Sequence, residues 1–300
     1  MEKCLSVPKI IAVFLFFTVI SQVDLSSQQL SNSVDLSFGI QKWDPVHIKV
    51  DERNTGSRSE PIKFTASNST YYPFMLLIDF VQFNNLSPRP PVREIRLGHG
   101  INNLFSISPQ VPGQSYGYEY TYKYRLALSE TDDGEYYPYL IPLKVGTIPV
   151  AKKTTAGMIP DSFTGSKGDT IYCMRRGLVT AVPRSETKDF RISGYDCLEV
   201  LHEDGTYMIY QNLNRKDAFS APGKVILPGQ ALGTLSDSCY LIVKLMQIEK
   251  NNLMLDLQIR YSTGQPDPVP FSEIENKCKS VWPGDVMVRE LKKKEIKQIR

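Results

Sequence analysis

The chain has 300 residues, of which 41% are hydrophobic, and this is enough to bury the cores of one or two ordinary domains. Its formal net charge of +3 is too small to indicate a nucleic-acid partner, and the sequence has no nucleotide-binding glycine loop. Much of the positive excess lies in the last thirteen residues. Such a tail predicts a solvated terminal helix, with binding to anionic glycan or lipid as the alternative.

The first residues have the pattern of a secretory signal peptide. Lys3 and Lys9 are basic, Ile10–Ile20 is apolar except for Thr18, and small residues follow near Ser21. This run is short for a membrane span, so we predict that residues 1–22 are removed and that the protein is periplasmic or secreted. An uncleaved anchor helix is the alternative. No later segment approaches membrane-spanning length, which predicts no stable span after signal removal.

Four cysteines remain after the signal peptide. An even number in an oxidising compartment permits two disulfides, with three possible pairings, and buried free thiols are the other possibility. No two of them form a C-x-x-C pair, so the sequence supports neither a thiolate zinc site nor redox chemistry. They are Cys173, Cys197, Cys239 and Cys278.

Residues 23–150 are predicted to form a β-sandwich. Short runs with strand-like alternation are separated by turns such as Pro112-Gly113 and Asp132-Asp133-Gly134. The predicted strands are His47–Asn54, Pro61–Asn68, Tyr72–Asn84, Glu94–Gly98, Leu104–Ser108, Tyr116–Leu128 and Tyr137–Val145.

One of these strands carries tyrosine at every second position from Tyr116 to Tyr124. Period two places all of these rings on one face of a sheet. The pattern predicts a half-buried sheet face whose hydroxyl groups reach water, and a carbohydrate-stacking surface is the alternative.

A second β series follows in residues 151–275, and a basic tail with a short helix occupies residues 276–300. The fold class is therefore predicted to be all-β. The predicted strands are Thr170–Cys173, Gly177–Val182, Cys197–His202, Tyr207–Leu213, Ala231–Leu235, Tyr240–Gln247 and Leu253–Tyr261.

Within the second series, Asp196–Leu213 predicts a β-hairpin. Its turn is Glu203-Asp204-Gly205, because an Asp-Gly pair between apolar alternating residues is a strong hairpin signal. Farther on, Pro228-Gly229 predicts a turn inside Val225–Gly233.

This layout resembles the lysostaphin/LytM family of zinc endopeptidases that act on peptidoglycan. In that family a strand like V-I-E-H-P-D-G-T-Y leads into Y-A-H-L, and a G-Q-x-I-G turn follows. The A-H-L motif corresponds to Gln211-Asn212-Leu213, so Asn212 stands where the family has histidine. The resemblance covers roughly Met158–Phe271. It implies a LytM-like antiparallel β domain, built on a duplicated hybrid motif, after the sandwich.

The resemblance also implies three zinc ligands, namely the His and Asp of H-x-x-x-D and the second His of H-L-H. Met158 and Ser162 occupy the first two positions. For the H-L-H strand, one alignment places Met254 and Asp256 at the histidines, and a second alignment uses Tyr240–Lys244. Neither alignment contains a histidine.

The histidine inventory leads to the same expectation without any alignment. The whole chain has only His47, His99 and His202, and a catalytic zinc usually takes imidazole nitrogens. We therefore expect no catalytic residues, no metal site and no cofactor, zinc included.

The main hypothesis is a degenerate, non-catalytic LytM-like protein of the bacterial envelope. A groove at the former active-site positions Met158, Ser162, Asn212, Met254 and Asp256 would bind peptidoglycan peptide or a partner hydrolase. The first alternative is an active metallopeptidase that cleaves peptidoglycan cross-bridges with an atypical ligand set. The second is a purely structural β protein.

Overall fold

The computed structural model describes residues 48–55, 59–91, 93–127, 137–154, 157–158, 161–183, 192–193, 197–248 and 254–298. The predicted signal peptide lies outside these residues. None of the helices in the described part has the length and apolar character needed to cross a membrane.

The first domain contributes two antiparallel sheets. One has the strand order β1-β2-β6-β4 and the other has the order β5-β3-β7, so the predicted all-β architecture is confirmed. The strands are β1 Ile48–Arg53, β2 Ile62–Asn68, β3 Phe74–Asn84, β4 Leu86–Ser87, β5 Glu94–Leu97, β6 Gly100–Pro109 and β7 Gly117–Leu126.

The alternating tyrosines of β7 face the core between these sheets. Tyr120, Tyr122 and Tyr124 are between 2% and 5% exposed, and Tyr120 packs edge-on against Phe64 of the opposite sheet at a centroid distance of 5.4 Å. These three rings cannot stack on an external sugar. The stripe therefore supplies core packing. The single face that the period of two predicted is present, but these three rings are buried more deeply than the predicted half-buried face.

The second domain is built around a seven-stranded antiparallel sheet. Its order is β11-β18-β15-β14-β13-β16, and β19 pairs with β18. The strands of this domain are β8 Pro138–Tyr139, β9 Lys153–Thr154, β10 Gly157–Met158, β11 Ser162–Thr164, β12 Thr170–Tyr172, β13 Gly177–Ala181, β14 Cys197–Leu201, β15 Tyr207–Gln211, β16 Val225–Ile226, β17 Ala231–Thr234, β18 Tyr240–Ile248, β19 Met254–Leu257 and β20 Arg260–Tyr261.

The predicted hairpin is confirmed as β14 and β15. Gly205 has φ +84° in its turn, a conformation that glycine adopts without the steric cost of a Cβ atom. The N–H of His202 donates to the carbonyl of Thr206 at 2.9 Å and closes the turn. The Pro228-Gly229 turn is also present, with Gly229 at φ +76°.

Two predicted strands are shorter or divided in the structure. Within Tyr137–Val145 only Pro138–Tyr139 is a strand, because prolines 138 and 142 lack the N–H that extends a ladder. The Leu253–Tyr261 prediction is divided into β19 and β20, and β20 pairs in parallel with β8. Through this pairing, Tyr139 packs in the hydrophobic core of the second domain. The limits of the domains stay predictions.

The two faces of the seven-stranded sheet pack against different cores. Met208 and Tyr210 of β15 point into the core of the second domain. Tyr207, on the opposite face of the same strand, packs with the first domain's core, together with Ile248 of β18. One face of this sheet is therefore partly covered by the sandwich.

Three short helices follow the last strand: α1 Phe271–Ile274, α2 Gly284–Val288 and α3 Lys293–Ile296. Ser280 is joined to the second domain by backbone hydrogen bonds with Gly146 and Thr147 at 2.9 and 2.7 Å. Beyond Ser280 the backbone hydrogen bonds seen are local, for example from Met287 to Pro283.

Candidate functional site

Some of the positions that the LytM resemblance selects lie on neighbouring strands of the seven-stranded sheet. Ser162 of β11 is directly opposite Ile242 of β18, and Ile242 is directly opposite Gln211 of β15. Cys197 of β14 continues the line beside Gln211. Directly opposite residues share one face of a sheet, with Cβ atoms about 5 Å apart. We call Ser162, Ile242, Gln211 and Cys197 the Ser162 row.

Ser162 is enclosed by the chain that precedes it. Its side chain is fully buried, and its Oγ accepts a hydrogen bond from the backbone N–H of Lys152 at 2.9 Å. The N–H of Thr164 donates to the carbonyl of Val150 at 2.7 Å, which holds the same segment along β11. A ligand on this face cannot reach the Ser162 hydroxyl unless residues 150–152 move.

Asn212 directly follows the row residue Gln211. Its φ of +70° is a left-handed conformation that asparagine tolerates better than most residues, and its carbonyl accepts the N–H of Ser236 at 3.0 Å. Its Nδ2 atom is buried and has no hydrogen-bond partner among the described residues. The amide at the position aligned with the family's histidine therefore has an unused donor.

Met254 and Asp256 lie away from the row. Asp256 is opposite Met246 and Met254 is opposite Ile248, whereas Ser162 is opposite Ile242. At about 3.3 Å per residue, Asp256 is roughly 13 Å along β18 from the row. The structure therefore places the second alignment, with Tyr240 and Ile242, beside Ser162.

Met158 is in β10, where it pairs with Lys153 of β9. This pair forms a separate two-stranded sheet. Of the five predicted groove residues, Ser162 and Asn212 lie at the row, and Met254 and Asp256 lie along the edge strand β19.

The side chains of the row do not match a hydrolytic zinc site. Ser162, Gln211, Ile242 and the nearby Tyr240 offer hydroxyl, amide, alkyl and phenol groups, and Cys197 adds one thiol. Catalytic zinc takes three histidine, carboxylate or thiolate ligands, so the row is two ligands short. In the described part of the chain, no group of three or more His, Cys, Asp or Glu side chains is placed to hold a metal ion. The residues present do not fit the zinc of the family.

The cysteines are thiols in the structure, and no disulfide joins the four of them that lie in the described residues. Cys173 is fully buried and its Sγ donates to the carbonyl of Arg175 at 2.9 Å. Burial raises the pKa of this thiol to about 12, so it is not nucleophilic at neutral pH.

A buried carboxyl group lies on the same face as the row, two residues along β14. Glu199 is fully buried and accepts hydrogen bonds from the Tyr72 hydroxyl of the first domain and from Ser193, whose N–H and Oγ lie 3.0 and 2.5 Å away. The side chains of Asn68 and Thr70 hold the Tyr72 backbone at 2.8 and 3.2 Å. This network connects the two domains, and no local sequence pattern indicated it.

A second network that the sequence did not indicate surrounds Arg175. Its guanidinium donates to both carboxyl oxygens of Glu290, to Asp204 at 2.6 Å and to the Tyr139 hydroxyl at 3.1 Å. It also stacks on the Tyr137 ring, 3.9 Å from the centroid. Arginine in this geometry is a rigid, bidentate carboxylate binder.

His202 lies beside this arginine and is kept neutral. It is 2% exposed, its Nδ1 is 2.9 Å from the Arg176 carbonyl, and its Nε2 has no partner among the described residues. Burial, and secondly the charge of Arg175, lower its pKa from 6.5 to about 3. Since the Arg176 carbonyl can only accept, the proton of the neutral ring is on Nδ1.

The neutral state of His202 predicts a loss of stability in acid. Between pH 6.5 and about 3 the unfolded chain binds a proton that folded His202 does not, so stability falls as the pH falls. The slope from this group should approach 1.4 kcal/mol per pH unit, roughly. When urea unfolding is measured from pH 7 to pH 4, the free energy of unfolding of His202→Asn should fall less with falling pH than that of the wild type. His99→Asn, at an exposed histidine, is the control, and equal slopes for all three proteins would contradict the assignment.

Comparisons with known proteins give little sequence similarity. No protein-family model and no curated protein matches the chain. Among solved structures, Helicobacter pylori Csd3 from the hexagonal crystal is similar with a TM-score of 0.30 and 11% identity, over 80% of this chain and 53% of that chain. Csd3 from the orthorhombic crystal has a TM-score of 0.30 and 13% identity, over 88% of this chain and 84% of that chain. The chain spans about half the length of the first of these, and a similarity this low identifies neither an activity nor a partner.

Proposed function

We propose that the protein is exported to the bacterial envelope, periplasmic or secreted, and that its second domain is a non-catalytic LytM-like domain. The domain binds peptidoglycan peptide or a partner hydrolase through the face that carries the Ser162 row, at its partly exposed end with Gln211, Tyr240 and Ile242, since the sandwich covers the other end. It acts without zinc or another cofactor.

One observation carries this proposal. Two motif regions matched to the family separately, at Ser162 and Gln211-Asn212, and one of the two alternatives for the third, Tyr240–Ile242, meet on adjacent strands. An accidental hairpin likeness would give no reason for this convergence. The side chains there lack the donors of a zinc site, so binding is the function that this arrangement supports.

Tyr240 is the best-placed contact residue on this face. It lies two residues from Ile242 on β18 and therefore on the same side of the sheet. It is partly exposed, and the Lys152 ammonium is 5.0 Å from its ring centroid. An aromatic ring next to a cation is a common anchor for a peptide ligand.

The proposal is tested by co-sedimentation of the full chain with insoluble peptidoglycan, with and without chelator. We expect binding that the chelator does not change and no release of soluble fragments. Tyr240→Ala should weaken binding roughly tenfold, as expected for an interface anchor. Phe219→Ala removes an exposed ring elsewhere on the second domain and should leave binding unchanged.

Chelator-sensitive release of fragments would establish the active metallopeptidase instead. The protein would be purely structural if two results were both negative. The chain would not bind peptidoglycan, and pull-downs would capture no envelope hydrolase whose recovery falls with Tyr240→Ala.

A further inference from the structure

The last segment of the chain is attached to the second domain by side chains. In residues 281–298 the backbone hydrogen bonds seen run between near neighbours, such as Leu291 to Val288 and Gln298 to Glu295. Its helices α2 and α3 have five and four residues. Helices this short are not stable alone in water, so the segment keeps its form only while it is docked. We call residues 281–298 the C-terminal strap.

Two glutamates of the strap are bound by two adjacent arginines of the domain. Both carboxyl oxygens of Glu290 accept from Arg175, and those of Glu295 accept from Arg176 at 2.9 Å each. All four side chains are largely buried, with exposures of 4% and 18% for the first pair and 11% and 16% for the second. The spacing of the two glutamates matches the spacing of the two guanidinium groups.

An aromatic side chain supplies the third anchor. Trp282 packs edge-on against Tyr172 at a centroid distance of 4.9 Å, and its ring lies against Gly229. A Cβ atom at Gly229 would be 3.2 Å from both Trp282 and Met287, so a larger residue there would require both side chains to shift slightly. The Nε1 of Trp282 is buried with no hydrogen-bond partner among the described residues, which makes docking less favourable.

The position of Arg175, which binds Glu290, does not depend on the strap. Arg175 also bonds to Asp204 and to the Tyr139 hydroxyl and stacks on Tyr137. Its guanidinium would therefore keep its position if Glu290 left. A preorganised arginine that retains partners of its own is a ready carboxylate site.

We propose that the C-terminal strap is a detachable occupant of a peptide-binding groove formed by Tyr172, Arg175, Arg176 and Gly229. The external ligand is an acidic peptide with two carboxylates and an aromatic side chain arranged as in the strap, and it binds when the strap opens. This site is on different elements from the Ser162 row, so it stands or fails independently of the proposed function.

The test uses the full chain and a fluorescently labelled synthetic peptide with the sequence of residues 281–298. The double variant Glu290→Gln and Glu295→Gln weakens the strap but leaves the groove intact. Apparent affinity scales with the fraction of open groove, so the variant should bind the peptide about tenfold more tightly than the wild type. A peptide with glutamine at the same two positions should lose this gain.

A matched control replaces Glu273 and Glu275, two acidic residues outside the strap, with glutamine and should bind the peptide like the wild type. Equal affinity of wild type and strap variant, or equal binding of the two peptides, would overturn the proposal. Hydrogen exchange of the wild type gives a readout without mutation. Amides of 284–298 should exchange at least about a hundredfold faster than those of β18, because the strap opens locally. Exchange of both segments at one rate would also overturn it.

Discussion

Replacing Glu199 with leucine should lower the free energy of unfolding by about 4 kcal/mol, since the change leaves several buried donors without an acceptor. The Tyr72 hydroxyl, the Ser193 N–H and Oγ, and the Ile192 N–H at 3.3 Å all donate to this carboxyl group. Leucine fills much of the space but accepts no hydrogen bond. Urea unfolding of the wild type and the variant at pH 7 measures the difference.

Tyr72→Phe tests the part of this network that joins the domains. It should cost about 2 kcal/mol, because the change removes one of the donors to a buried carboxyl group. In the Glu199→Leu background the same change should cost much less, since the partner is already gone. Tyr116→Phe, whose hydroxyl bonds to Asn54 at the exposed surface, is the matched control and should cost under about 0.5 kcal/mol. Additive costs for Tyr72→Phe and Glu199→Leu would show that the two residues do not act together.

Local patterns in the sequence predicted most of the strands. The alternation of tyrosines defined β7, and the Asp204-Gly205 pair defined the β14–β15 turn, because both signals depend on neighbours within a few residues. The pairing of β8 with β20 was not predicted, since its partners are more than a hundred residues apart and parallel pairing leaves no turn signal between them.

The same reasoning explains the contacts that were missed. Tyr72 and Glu199 are 127 residues apart, and Arg175 and Glu290 are 115 apart. The tail was predicted to be a solvated basic helix from its lysines. In the structure its two glutamates determine where it docks, because they meet Arg175 and Arg176.

The groove at the candidate site stays a prediction, and the structure brings only some of its residues together. Ser162 and Asn212 followed from motifs with fixed neighbours, and both lie at the row. For the third motif, the sequence left two alignments open, one with Met254 and Asp256 and one with Tyr240–Lys244. The strand order decides which alignment lies beside Ser162, because β18 rather than β19 is the neighbour of β11.

A variant with three zinc-binding side chains placed in the row, called the restored variant, should bind zinc, with a histidine at Gln211 in place of the family's ligand at Met158. Ser162, Ile242 and Gln211 face the same side on adjacent strands, with neighbouring Cβ atoms about 5 Å apart, which suits three ligands around one ion. The variant Ser162→Asp, Gln211→His, Ile242→His should therefore bind about one zinc ion per chain. Added zinc should also raise its Tm, because the metal compensates the buried carboxylate. The matched control keeps the first two changes and adds Asp256→His, which lies too far along β18 to join them.

The zinc-to-protein ratio of these variants and the wild type, purified without added metal, tests the account most directly. We expect less than about 0.1 zinc per chain in the wild type and in the Asp256→His control, and about one in the restored variant. Near-stoichiometric zinc in the wild type, or a folded restored variant that remains metal-free, would contradict the assignment of the Ser162 row as a LytM-like site without its ligands.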